Sequence, residues 1–312
     1  ESRSDRRGTT LRDLKTRMRR VLETLESHPK PRDGSTLMKR FAEMHFDNCP
    51  AGGQGRKRNL GDVEAFLEFA VNKTGAPKRW LPPDKEFKRN LIGSSSRTSA
   101  EALTVPLKGQ DLEMLLEGLA SNEKHSLRLA VGLVGLLGLR PSELGELTVE
   151  DGKLYVGSTK RNMQTLHKPK APPRRVIPVN LPSLPNEGQR LIRQYESGII
   201  KLPLAINRAI ERAKEKQEFK EVGDALRQLL QRYWLWQSME KRTQGLKVYS
   251  LRHGFAYRCH VEIENPISAT EVAGLMGHDV NTHLKYYGRW VDEEALERAV
   301  KRLEGTKAEV TA

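Results

Sequence analysis

With 312 residues, the chain can hold one large domain or two medium ones, each burying its own core. Lysine and arginine number 54 against 40 aspartates and glutamates, a formal net charge of +14 that favours a polyanionic partner, either nucleic acid or an acidic membrane surface. The longest apolar run, Leu129 to Leu139, falls well short of the roughly 20 apolar residues of a membrane span, so it predicts a buried core helix.

The first stretch, ESRSDRRGTTLRDLKTRMRR, is charged and lacks the apolar run of a signal peptide; it begins at Glu1 rather than Met, which leaves room for a segment ahead of it. From Thr10 to about Leu25, residues Leu11, Leu14, Met18, Val21, Leu22 and Leu25 recur at helical spacing against an Arg/Lys-rich face. Two more helices are predicted over about 35–45 and 61–72, separated by the Gly-rich basic loop CPAGGQGRKRN. Residues 1–92 read either as a small helical bundle with solvated charges or as a bundle whose basic face tracks phosphates. Small polar residues across NLIGSSSRTSAEALTVPLKGQ predict an interdomain linker, placed at 93–107. Beyond it, 110–120 and 125–139 read as helices and LTVEDGKLYVG as two strands joined at Asp151-Gly152, with RRVIPV (174–179) as a third strand. From about residue 186 the pattern is mainly helical, including one long segment over 218–241. An amphipathic helix at about 291–304 carries Leu296, Ala299, Val300 and Leu303 on one face. The fold class is therefore mainly α with a small antiparallel sheet (α+β), the second domain covering 108–312. Cys49 and Cys259, with no CxxC and no histidine at ligand spacing, predict a reduced intracellular protein without structural zinc.

Five stretches carry side chains suited to one chemistry. In GLRPSELGEL a buried helix ends before Arg140-Pro141, which frees the guanidinium from the core, and Glu143 is placed to brace it through a charge-assisted pair. YVGSTKRN puts Lys160 just past a strand, YSLRHGFAYR holds Tyr249, Arg252 and His253, LMGHDV holds His278, and HLKYYGRW holds Tyr286 and Tyr287. Arginine forks bind phosphate oxygens, on which negative charge grows when a phenolate attacks a phosphodiester. A tyrosine, with an ordinary pKa of about 10, needs cationic neighbours or a base to react near neutrality, and a lysine can protonate the leaving sugar oxygen. No step calls for a cofactor or a metal, and no carboxylate cluster for a metal is visible in the sequence. Taken singly, each box has a plain structural reading: a helix end at Arg140, a basic helix at LRHGF, a cap residue at His278, a solvated lysine at Lys160.

In this order and spacing the boxes resemble the catalytic domain of the tyrosine recombinases, the phage-type integrases, from about Val105 to the C-terminus. Residues 1–92 are similar in position and character to that family's helical core-DNA-binding domain. The resemblance implies that Arg140 and Arg252 hold the scissile phosphate and that Lys160 protonates the leaving 5′ oxygen, with Lys168 and Lys170 as alternatives. It implies that His278 bonds the phosphate or assists proton transfer, and that Tyr287, nine residues after His278, is the nucleophile while Tyr286 packs; Glu143 and His253 are supporting residues. The sequence departs from the family at Tyr249, where histidine or lysine is usual, and a phenol is a poorer base. The implied activity is site-specific DNA recombination through a 3′-phosphotyrosine and a Holliday junction, without a cofactor. The implied assembly is a homo-tetramer on double-stranded DNA recombination sites, with the C-terminal helix exchanged between protomers and room for an accessory directionality factor. No membrane is involved on this reading, and the place of action is the cytoplasm of a bacterium. Its rivals are a type IB topoisomerase and a DNA-binding protein that has lost catalysis.

Overall fold

The computed structural model describes residues 8–94, 105–159, 172–216 and 218–288, and the chain divides into two compact units, Glu1–Ala102 and Leu103–Ala312. In the first unit α1 (Gly8–Glu26), α2 (Gly34–His45), α3 (Gln54–Thr74) and the short α4 (Lys85–Ile92) close on an apolar core of Val21, Leu37, Met38, Phe41, Phe46, Leu60, Val63 and Leu67. A capping box starts α2, with the Asp33 carboxylate accepting from the Thr36 N–H at 2.7 Å. Leu22, predicted to face inward, is exposed instead. Helix α3 begins at Gln54 rather than near residue 61, so the stretch predicted as a basic loop is largely helical. The Arg56 guanidinium accounts for this, because it donates to the carbonyls of Cys49 (2.8 Å) and Leu91 (3.3 Å) and ties the first turn of α3 to the end of α4. Helix α4, absent from the sequence reading, is capped by Asp84, which accepts from the Phe87 N–H at 2.8 Å.

The second unit is built around α6 (His125–Leu137), whose residues are buried on every side from Leu127 onward, next to α5 (Gly109–Ser121). Gly138, left-handed at φ 64°, ends α6, and a 3₁₀ turn over Pro141–Gly145 leads to a three-stranded antiparallel sheet. Strands β1 (Leu147–Glu150) and β2 (Lys153–Val156) are joined by Asp151 and Gly152, both at positive φ, as a two-residue type I′ turn requires. Strand β3 is only Arg174–Arg175; the strand predicted to 179 peels away because Pro178 offers no N–H and the Val179 N–H bonds Leu136 of α6. Helices α7 (Glu187–Ser197), α8 (Leu204–Lys216), α9 (Lys220–Gln231) and α10 (Trp234–Arg242) follow. The long helix predicted over 218–241 is thus two helices, broken at Tyr233, whose extended backbone lets both Tyr233 and Trp236 turn inward.

Helix α11 (Ser250–Tyr257) runs into a π-helical turn at Arg258–Glu262, followed by α12 (Ala269–Met276) and α13 (Val280–Tyr287). The observed class, mainly helical with one small antiparallel sheet, is the predicted one. Lys160, Lys168, Lys170 and the amphipathic segment at about 291–304 lie outside the described residues. No helix among the described residues is long and apolar enough to cross a membrane.

Candidate active site

A single buried carboxylate organises the site. Glu143, 1% exposed in the 3₁₀ turn after α6, is the acceptor for two arginines and lies close to a third. Arg140 binds it twice, through its backbone N–H at 2.7 Å and its Nη1 at 2.6 Å, an i,i+3 arrangement that the Arg-Pro break makes local. Arg174 of β3 adds a two-pronged fork, Nη1 to Oε1 at 3.1 Å and Nη2 to Oε2 at 2.8 Å. Arg252 of α11 lies 3.8 Å from the same carboxylate. Burial alone raises the Glu143 pKa, but the Arg174 hydrogen bonds and charge, with those of Arg252 and Arg140, more than offset it and hold the carboxyl below its usual range.

Backbone carbonyls hold the same arginines. Arg140 Nη2 donates to Gly277 at 3.0 Å, Arg174 Nε to Leu275 at 3.2 Å, and Arg252 to Gly138 and, at 2.6 Å, to Met276. Two of these acceptors are glycines that end helices in the left-handed region, Gly138 at φ 64° and Gly277 at φ 67°. A Cβ on Gly277 would lie 2.9 Å from Arg174 Cδ, and one on Gly138 would lie 2.5 Å from the Phe255 ring, so both positions require glycine on two counts. Arg252 is itself 1% exposed; burial and the neighbouring Arg140 lower its pKa to about 10, with Glu143 pulling the other way, and the guanidinium stays charged at neutral pH.

Tyr287 closes the group from α13. It is 2% exposed and packs with Phe255, Cys259, Val272 and Met276, whereas Tyr286 is 41% exposed on the next face of the same helix. The Tyr287 ring stacks on His278 at 5.9 Å between centroids and 22° between planes, and lies 4.7 Å from His283 and 5.3 Å from His253. Burial pushes its phenol up to about 12, opposed by the charge of Arg252 and a hydrogen bond with it. His278, just past Gly277, accepts at Nδ1 from Arg252 Nη2 at 3.3 Å; burial and the charges of Arg252 and Arg140 lower its pKa to about 4, so it is neutral at pH 7. Tyr249, the N-cap residue before α11, is exposed, its ring 5.7 Å from that of His253, itself largely buried.

Arg140, Glu143, Arg252, His253, His278 and Tyr287 are therefore brought together, with Tyr249 at the edge beside His253. Three further residues belong to the group. Arg174 reads in the sequence as part of a strand, and nothing local in RRVIPV ties it to Glu143, 31 residues away. His283 had a usable signal, lying one helical turn before Tyr287 on the same face, while His260 meets it only through the tertiary fold.

No protein-family model and no curated protein sequence matches the chain. Solved structures do match. The Tn1549 transposon integrase in complex with a circular intermediate DNA superposes with a TM-score of 0.60 at 16% identity, covering 97% of this chain and 96% of that one. A lambda integrase dimer bound to a COC′ core site gives 0.51 at 16% identity, over 92% of this chain and 90% of that one. A lambda integrase tetramer bound to a Holliday junction gives 0.54 at 16% identity, over 89% of this chain and 73% of that one. The chain has the tyrosine recombinase fold. Within that fold, the turn after α6 carries Arg140, β3 carries Arg174, α11 carries Arg252 and α13 carries Tyr287.

Proposed function

We propose that the chain is a site-specific DNA recombinase of the integrase type in which Tyr287 is the nucleophile. The observation that carries this is the convergence of Arg140, Arg174 and Arg252 on one buried carboxylate, beside a buried tyrosine stacked on His278. Glu143 neutralises part of the positive charge and fixes the forks, so that the guanidiniums are pre-set for a phosphodiester and need no reorganisation as charge develops. The Tyr287 oxygen attacks phosphorus and gives up its phenolic proton, the bond to the 5′ oxygen breaks, and the products are a 3′-phosphotyrosyl link and a 5′-hydroxyl. In net, one proton passes from the phenol to the 5′ oxygen. The proton for the 5′ oxygen comes from Lys160, or from Lys168 or Lys170 of the same segment. Attack of a 5′-hydroxyl from a second duplex reverses the chemistry and leads through a Holliday junction. The phosphotyrosine conserves the bond energy, so no nucleotide is consumed. The basic net charge and the integrase–DNA complexes of the same fold support duplex DNA as the substrate, and the lambda integrase tetramer on a Holliday junction supports a homo-tetramer as the working form.

A suicide substrate nicked near the cleavage site tests the assignment. The unaltered protein and Tyr286→Phe should trap covalent adduct, while Tyr287→Phe should bind DNA and trap none; an adduct persisting in Tyr287→Phe would overturn the reading. Relaxation of a supercoiled plasmid lacking any specific site should be negligible, whereas a topoisomerase would relax it.

A further inference from the structure

Behind His278 lies a chain of imidazoles that the proposed chemistry leaves unexplained. His278 Nε2 is 2.8 Å from His283 Nδ1, His283 Nε2 is 2.7 Å from His260 Nε2, and His260 Nδ1 is 3.2 Å from the Ile267 carbonyl. His260 and His283 are both buried. The π-helical turn at Arg258–Glu262 places His260, and the Ile267 N–H bonds Cys259 in the same turn, so the backbone holds this end of the chain. The three rings run end to end and do not converge as metal ligands would; among the described residues no such cluster is present.

The two ends fix the direction of every bond. Arg252 can only donate, so His278 Nδ1 carries a lone pair, and a carbonyl can only accept, so His260 Nδ1 carries a hydrogen. Neutral rings then admit one pattern. His278 Nε2–H donates to His283 Nδ1, His283 Nε2–H donates to His260 Nε2, and His260 Nδ1–H donates to Ile267. Neutrality is what the surroundings impose. Burial, then the adjoining His260 and His278 and the Arg252 charge, lowers the His283 pKa to about 3, while Arg140 and Arg174 press on His278 and only Asp279 favours its charged form. Reversing the pattern among neutral rings would set the His260 Nδ1 lone pair against the Ile267 oxygen.

We propose that His283 and His260 are positioning residues that act through His278, locking it as the Nε2–H tautomer so that Nδ1 faces Arg252 and the phosphate-binding group as an acceptor. With that lock His278 presents a hydrogen-bond acceptor to Arg252 and has no Nδ1–H to offer a phosphate oxygen. This inference rests on the recombinase reading for its catalytic consequence but not for the tautomers.

Two variants separate hydrogen bonding from packing. His283→Asn keeps an oxygen at the place of Nδ1 that accepts from His278, and gives up the bond to His260; His283→Phe keeps the ring against Tyr287 and removes both bonds. Single-turnover cleavage of the nicked substrate should be largely retained in His283→Asn and fall on the order of 10-fold or more in His283→Phe, by analogy with the loss of hydrogen-bond partners behind metal-bound histidines. DNA binding should be unchanged in both. Nitrogen-15 imidazole shifts of the unaltered, DNA-free protein at neutral pH should report Nε2–H for His278 and His283 and Nδ1–H for His260. A protonated or Nδ1–H His278 in that spectrum would overturn the proposal, as would full activity in His283→Phe with loss in His283→Asn. Should either variant fail to fold, the spectrum alone decides. An adduct formed by Tyr287→Phe would remove Tyr287 as the nucleophile yet leave the tautomer pattern standing, so the two failures are distinguishable.

Discussion

The two compact units spend their interiors differently. The first buries an apolar cluster around Phe41 and Leu60 and keeps ion pairs such as Arg19–Glu23 and Arg40–Glu43 near solvent. The second has a larger apolar core around α6, yet it also buries Glu143, Arg252, Arg258, His260 and His283. Burying a charge costs several kcal/mol before pairing recovers any of it, so a fold that keeps many such groups is giving up stability for something else. Burial of charge is not sufficient to mark a site, however. Glu187, buried with Arg128 (2.5 Å), also pairs with the half-exposed Arg190 (2.8 Å), a network in the same unit that shares no ion-pair partner with Glu143 among the described residues. What sets Glu143 apart is that its arginines also line the group holding His278 and Tyr287.

The contrast is sharpest at Glu143. Glu143→Gln leaves three guanidiniums without their counter-charge, and should destabilise the second unit by about 3–5 kcal/mol and abolish cleavage, while the melting of the first unit stays in place. Phe41→Ala should do the converse, costing the first unit about 3–5 kcal/mol and sparing the tautomers of His278 and His283 in the second. Calorimetry of the full chain, reading two transitions, checks both.

Acid should divide the units next. His278 and His283 have folded-state pKa values lowered to about 4 and about 3, below an unfolded value near 6.5. The unfolded chain therefore takes up protons first, and their contribution to stability is complete above about pH 6.5 and falls as the pH drops toward 4. Glu143, whose pKa is also lowered, adds a loss at lower pH, once the pH falls below the unfolded carboxylate value. The second transition should accordingly move down between pH 6.5 and 4 more steeply than the first, where His45, shifted down by burial, is the histidine of this kind among the described residues. Equal slopes for the two transitions would break the comparison. The smallest effect is expected at Arg174, where Arg174→Lys keeps the charge and loses the fork to Glu143, lowering stability by about 1 kcal/mol and slowing single-turnover cleavage without removing it.

Legibility followed distance along the chain. The Arg140–Glu143 pair is an i,i+3 contact next to a proline and could be read from spacing. Helical geometry says that Tyr286 and Tyr287 point differently, while the choice of Tyr287 rests on the family resemblance and Tyr286, expected to pack, is exposed. Local periodicity shortens helix α3 and does not show α4, because what orders those turns is the Arg56 guanidinium reaching the carbonyls of Cys49 and Leu91. The break at Tyr233 was hidden because continuous helical periodicity cannot report a side chain that packs better outside the helix.

The sequence by itself determined the helical class, the hairpin at Asp151-Gly152, the basic charge, and the order of arginine, histidine and tyrosine boxes, because these are local patterns of composition, period and turn chemistry. Only the tertiary structure decided that Arg174 shares Glu143 with Arg140, that Tyr287 is buried against His278, and that His283 and His260 continue the line behind it. The physical reason is that a hydrogen bond between buried groups far apart in the chain has no local signature. Burial makes such a partner obligatory, and the fold alone says which residue it is.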